Sequence, residues 1–214
     1  MKAYRSIPHS GKAPKGEECF VFVKYDGSNL RFEWSKKSGW YKQGTRKQLF
    51  DESSSIFGGA IELFRETYAD DLEKIFLDHP KFKHAQNAIV YTEWFGSESF
   101  AGGHFPNDPK QLVLFDVNIH KKGLLKPKEF LDTFGHLKVA ELIEKRILDD
   151  EFIEAVRNNE YECGSKFEIR NEVPEGVICK GGEGHNLWMC KIKTNDYREE
   201  LKQRKGDDWT KYWE

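Results

Sequence analysis

Seven charged residues stand at or beside the ends of apolar, strand-like runs. They are Lys24 and Asp26 after ECFVFV, Glu93 in NAIVYTEWFG, Asp116 in QLVLFDVNI, Glu175 before GVICK, and Lys191 with Lys193 in LWMCKIK. One such charge normally just faces water, and Lys24 alone could be a solvated hairpin lysine. The set suggests chemistry. In Lys191-Ile192-Lys193, the period-2 geometry of a strand sends both ammonium groups to one sheet face, with Cys190 and Ile192 turned toward a core. Two lysines on one face near acidic strand ends suit a polyanion. A free lysine has a pKa of about 10.4 and is protonated at neutral pH. Burial and neighbouring cations lower that value and free the amine as a nucleophile. Lys24 is then the candidate nucleophile, and Lys191 and Lys193 supply the cationic neighbourhood and hold phosphate oxygens. Glu93, Asp116 and Glu175 could bind a ribose hydroxyl or Mg²⁺, a hard cation that takes oxygen ligands. Phe115 offers a flat face to a purine. Together these residues describe a nucleotide-phosphate site with a lysine nucleophile.

The elements that must position them are legible as alternation and periodicity. ECFVFVK, NLRFEW and WYKQGTR read as strands, the last two joined by the turn SKKSG. Between Ser55 and His79 the apolar residues Ile56, Ile61, Leu63, Phe64, Tyr68, Leu72, Ile75 and Phe76 fall at helical spacing, and Ser53-Ser54-Ser55 is expected to cap that helix. NAIVYTEWFG and QLVLFDVNI are strands separated by the loop SESFAGGHFPNDP. Pro127 to Phe134 reads as a short helix with proline near its start, and DDEFIEAVRNN as another with acidic residues at its N-terminus. EGVICK and LWMCKIK are strands joined by GGEGHN, and NDYREELKQRK closes as a polar helix. Many strands with a few interspersed helices make an α+β fold. With no repeat or linker, one domain over residues 1–214 is the economical expectation.

The totals bound the function. A hydrophobic share of 38% and aromatic share of 14% are enough for a real core. A formal net charge of −2 means that a nucleic-acid partner can be inferred only from a local basic patch. Cys19, Cys163, Cys179 and Cys190 form no CxxC pair, so buried free thiols are expected rather than disulfides or zinc. The seven histidines lack ligand spacing. No segment approaches the length of an apolar membrane span, so the protein is expected to be soluble and cytoplasmic.

KYDGSN, with Lys24 first, resembles the KxDG motif of the covalent nucleotidyltransferases: ATP-dependent DNA and RNA ligases and mRNA capping enzymes. GTR (Gly44 to Arg46), YTEWFG, LVLFDV, EGVI and CKIK follow in that superfamily's order, from about residue 20 to 193. The asparagine of GSN, where DNA ligases usually carry arginine, and WFGSESFAGGHFP before LFDV look most like the phage-type RNA ligases. The resemblance implies an ATP-grasp-like nucleotidyltransferase domain of antiparallel sheets flanked by helices. It also implies an enzyme that uses ATP and Mg²⁺ or Mn²⁺ in RNA repair. Lys24 would attack the α-phosphorus of ATP and hold AMP as a phosphoramidate; Arg46 would contact phosphate, Glu93 the ribose, and Phe115 the adenine. Asp116 would support that stack, Glu175 (with Glu93) would help place a metal ion, and Lys191 and Lys193 would hold the α-phosphate. Asp26 contacts metal or the lysine and Asn29 a phosphate, unless both only shape the turn. Arg31 is either a phosphate contact or a solvated strand position. AMP would then pass to an RNA 5′-phosphate, and a 3′-hydroxyl would displace it, at a nick or a strand end.

The resemblance has departures. Only 21 residues follow Lys193, too few for the oligonucleotide-binding barrel or helical domain of larger relatives, so the expectation is a catalytic domain alone, open to a partner protein that supplies the rest. Substrate grip would come from the KQRK helix and the Lys36, Lys37, Lys42 and Lys47 hairpin. Val23 gives no side chain to read the adenine amino group, so ATP over GTP rests on the branch resemblance. A phage-encoded protein acting in a host cytoplasm is compatible with that branch. The competing expectations are a nick-sealing DNA ligase, more distantly a capping guanylyltransferase, and a catalytically silent nucleotide- or nucleic-acid-binding module on a ligase scaffold.

Overall fold

The computed structural model describes residues 3–97, 107–164, 173–182 and 186–213. His104, His185 and much of the loops SESFAGGHFPNDP and GGEGHN lie outside the described residues. In chain order the elements are β1 (Glu18–Lys24), β2 (Ser28–Ser35), β3 (Gly39–Thr45), α1 (Gly58–Phe64), a π-helical turn (Arg65–Ala69), α2 (Asp70–Asp78), β4 (Asn87–Phe95), β5 (Gln111–Ile119) and β6 (Gly123–Leu124). They continue with α3 (Pro127–Phe134), β7 (Leu142–Ile147), α4 (Asp150–Arg157), β8 (Gly176–Gly181), β9 (Trp188–Lys193), α5 (Asn195–Lys205) and α6 (Thr210–Trp213). The α+β reading holds, as two antiparallel sheets flanked by helices. Among the described residues no helix is long and apolar enough to cross a membrane.

The chain divides into two compact units. One comprises Met1–Arg5, Ser28–Trp94 and Gln111–Val139; the other comprises Ser6–Gly27, Phe95–Lys110 and Ala140–Glu214. The second holds a four-stranded sheet in the order β7-β1-β8-β9. Alternation along β1 sends Cys19 and Val21 to a core that Val177 and Cys179 of β8 and Cys190 and Ile192 of β9 continue. Helix α4 closes that core with Phe152, Ile153 and Val156, each buried side chain contributing about 1.5–3 kcal/mol. The Asp149 carboxylate caps it by accepting from the Phe152 amide at 2.8 Å. All four cysteines are free and buried.

The first unit holds the five-stranded sheet β3-β2-β4-β5-β6. Leu30, Phe32 and Trp34 of β2 turn to a core shared with Ala60, Ile61, Phe64, Tyr68, Leu72 and Phe76, and the rings of Phe32 and Phe64 stack at 3.8 Å. The predicted helix is present but passes through a π-helical turn, where Tyr68 donates to the carbonyls of Leu112 (2.8 Å) and Lys138 (2.6 Å). The serine cluster does not cap it as expected. Ser54 instead accepts from the Phe57 amide at 3.1 Å, closing a turn before the first helical residue.

Two local readings change. β1 and β2 lie in different sheets, so Asp26-Gly27 joins two sheets and Lys24 is no hairpin residue. LIEKRI, unassigned from the sequence, is β7, an edge strand paired with β1.

Candidate active site

Register places the lysines. Along one row of the four-stranded sheet, Lys24 pairs with Gly176 and Gly176 with Lys193. The three share a sheet face, and the glycine between two long side chains leaves room for both. Gly176 adopts φ +139°, and a Cβ there would lie 2.0 Å from the Ile192 carbonyl oxygen. The next row is Phe22, Ile178 and Lys191, and the one beyond brings Lys180, whose ammonium lies 5.1 Å from the Phe22 ring. Lys191 and Lys193 thus share a face, with Cys190 and Ile192 in the core behind, as their alternation predicts.

Glu175 sits one residue before this row and is buried. Its Oε2 accepts from Lys24 Nζ at 2.8 Å and its Oε1 from Lys193 Nζ at 3.0 Å. Burial pushes its carboxyl pKa up, but the two ammonium groups overrule this and hold it below the ordinary value. Lys193 is shifted down, because burial and the Lys24 charge outweigh the pull of Glu175. Lys24 is partly exposed at 20% of its side chain, whereas Lys193 is almost wholly enclosed. The carboxyl-terminal helices hold Lys193 further. Its ammonium donates to the Tyr212 carbonyl at 3.1 Å and lies 5.2 Å from the Trp213 ring and 5.5 Å from that of Tyr197. Tyr197 donates to Asp26 Oδ1 at 3.0 Å, and burial together with Glu175 and Asp26 pushes its phenol pKa far up, so it stays a donor. Asp26 is buried, held by a side chain 171 positions away. Trp213 stacks on His9 at 5.9 Å and serves packing. His9 is shifted down by burial and by Lys191 and Lys193.

The remaining candidates belong to the five-stranded sheet. Asn29 of β2 pairs across the strands with Glu93 of β4, so both lie on the face opposite the aromatic core. Phe115 and Asp116 lie on β5, where Tyr4 meets Phe115 edge-on at 5.0 Å and Tyr91 at 4.8 Å. The Tyr4 hydroxyl donates to the Asp116 carboxylate. Burial and Asp116 raise the pKa of Tyr4, and the same causes push Tyr91 up to about 12. Arg46 is exposed on the turn after β3. Arg31 is only 1% exposed, which removes its reading as a solvated strand residue. Sequence reasoning missed Tyr197, Tyr4 and Lys180. Gly176 stood inside the quoted EGVI motif, and its spacing role needed the register to be seen.

Residues 17–196 match the RNA ligase family. The chain belongs to that family. No curated protein matches. Solved structures of Naegleria gruberi RNA ligase share the fold. A lysine-to-alanine variant with ATP and Mn has a TM-score of 0.64 and 20% identity, over 89% of this chain and 53% of the other. A glutamate-to-alanine variant with AMP and Mn has a TM-score of 0.68 and 18% identity, over 95% and 58%. The form with PPi has a TM-score of 0.62 and 20% identity, over 89% and 53%. This RNA ligase family chain therefore spans little more than half the length of those ligases.

Proposed function

We propose that this chain is the nucleotidyltransferase part of an ATP-dependent RNA ligase that works through a lysyl-AMP intermediate. The observation that carries the reading is Glu175 held between Lys24 and Lys193, with Asp26 anchored beside them by Tyr197. In the first step, neutral Lys24 Nζ bonds to the α-phosphorus of ATP as the bond to the pyrophosphate oxygen breaks. The lysine ammonium first gives one proton to water, which reaches its partly exposed side chain, and the nitrogen gives up a second as the phosphoramidate forms and pyrophosphate leaves. Lys191 and Lys193 stabilise the charge that builds on the phosphate oxygens, and Glu175 holds Lys24 and Lys193 in position. Glu93 takes the ribose, and Phe115, fixed through the Asp116–Tyr4 pair, takes the adenine. Asn29 and Arg46 handle phosphate.

The expected metal role of Glu175 fits the arrangement poorly, because both of its oxygens already accept from ammonium groups. Among the described residues no three His, Cys, Asp or Glu side chains gather to hold an ion. Mg²⁺ or Mn²⁺ would instead be held through the nucleotide phosphates and water, with Glu93 the remaining carboxylate proposed for it, as suits a cation that keeps several waters. When bound, it would neutralise charge on the phosphates.

AMP then passes to an RNA 5′-phosphate, and a 3′-hydroxyl displaces it to seal the ends, in RNA repair in a cytoplasm. Because the chain spans little more than half of the ligases it resembles, sealing is tested apart from self-adenylylation, including with a partner protein present. Incubation with α-labelled ATP and Mg²⁺ should leave one AMP on the protein, and Lys24→Ala should remove it. No label with any nucleotide or metal would leave a silent binding module. Sealing of RNA ends in preference to DNA ends separates the RNA ligase from the DNA ligase reading.

A further inference from the structure

The five-stranded sheet carries an open cleft of about 390 Å³ lined by Arg31, Glu33, Tyr41, Lys42, Leu49 and Ile89, none of which the proposed chemistry at ATP uses. At its floor Arg31 is buried. Its Nε donates to Glu33 Oε1 at 3.0 Å and its Nη1 to the Thr45 carbonyl, but its Nη2 is buried without a hydrogen-bond partner. A guanidinium has five N–H donors, and leaving both of those on Nη2 unused in a buried place is unfavourable, so packing alone does not explain an arginine here.

At the wall, the pairing of β2 with β3 slips between Glu33 and Trp34. Lys42 lies opposite Glu33 and Trp40 opposite Trp34, leaving Tyr41 as the extra residue. Such a bulge re-aims a side chain. Here it brings the Tyr41 hydroxyl to Glu33 Oε2 at 3.3 Å and leaves the residue 47% exposed, with the Lys42 ammonium 5.7 Å from the ring centroid. Leu49 is 52% exposed on the same rim. The cleft thus offers a flat apolar surface and one exposed cation, Lys42, over a floor made by the buried Arg31–Glu33 pair. Its complement has a planar ring and a negative charge, which is a nucleotide within a strand.

We propose that this cleft seats one nucleotide of the RNA substrate, its base against Tyr41 and Leu49 and its phosphate drawn to the exposed Lys42, over the buried Arg31–Glu33 pair. The inference rests on the RNA ligase reading and adds a place where the strand is gripped. The test uses the full chain, with Tyr41→Ala combined with Leu49→Ser, both at exposed positions, and Tyr41→Phe as the conservative variant. Anisotropy of a fluorescent, 5′-phosphorylated single-stranded RNA gives Kd, and α-labelled ATP gives self-adenylylation. Loss of one stacked base should raise Kd at least about fivefold in the double variant. Tyr41→Phe should bind as the parent does, and AMP labelling should be the same in all three proteins. An unchanged Kd in the double variant overturns the proposal and leaves the face to a protein partner. If the parent takes no AMP, the ligase reading fails while the Kd comparison still decides the cleft.

Discussion

Glu175 carries one negative charge toward two ammonium groups, so its loss should be felt twice. Glu175→Gln keeps the shape and leaves Lys24 and Lys193 without that carboxylate. Breaking a buried pair in this way costs about 3–5 kcal/mol, and the denaturation midpoint should fall accordingly. The pH dependence has a definite sign. A carboxylate whose folded pKa is depressed adds stability that is fully present above its unfolded value, about 4.3, and is lost as pH falls through the folded value. The unfolding free energy of the parent should therefore fall on acidification below about pH 4 more steeply than that of Glu175→Gln. Parallel acid limbs would show that Glu175 is not held by its lysines. The nucleophile candidate and its two lysine companions were legible because charge at a strand end is conspicuous. Tyr197 was not, because a tyrosine in a polar helix carries no sign of the carboxylate it reaches.

Elements set the spacing on which those residues depend. The start of β8 runs between Lys24 and Lys193, and Gly176 is the residue that passes between them. At φ +139° any side chain is strained, and a Cβ would press on the Ile192 carbonyl, which belongs to the strand carrying Lys191 and Lys193. Gly176→Ala should destabilise the fold by about 1–3 kcal/mol, and more where β9 cannot shift. It should also depress AMP labelling in protein that remains folded by circular dichroism. Full labelling with parent-like stability would mean that the strand yields freely. The alternation of ECFVFVK and LWMCKIK announced β1 and β9, since one face of each meets a core. LIEKRI escaped because β7 is an edge strand, and its half-exposed surface demands no apolar alternation. The interruption of the long helix by a π-helical turn was equally hidden, since the apolar spacing across it remains helical.

At the scale of the whole molecule, sheet order was the least legible feature. Lys24 and Glu175 are 151 positions apart, and nothing local announces that β1 runs between β7 and β8. Charge is the property that sequence does fix at this scale, and under the proposed RNA ligase reading it constrains how a strand would be held. A net charge of −2 supplies no general attraction for a polyanion, so affinity must come from a patch. The β2–β3 hairpin and the turn after it expose Lys36, Lys37, Lys42, Arg46 and Lys47. Each phosphate neutralised on a single strand contributes about −0.7 to the slope of log affinity against log salt. Engagement of Lys42, Arg46 and Lys47 alone gives a slope of about −2, and all five cations give about −3.5. Titration of labelled RNA across a series of KCl concentrations should fall in that interval, and Lys42→Ala should move the slope toward zero by about 0.7. A slope near zero would remove the hairpin as the grip. One much steeper than the interval would transfer it to other basic surfaces, such as Lys202, Arg204 and Lys205 of α5.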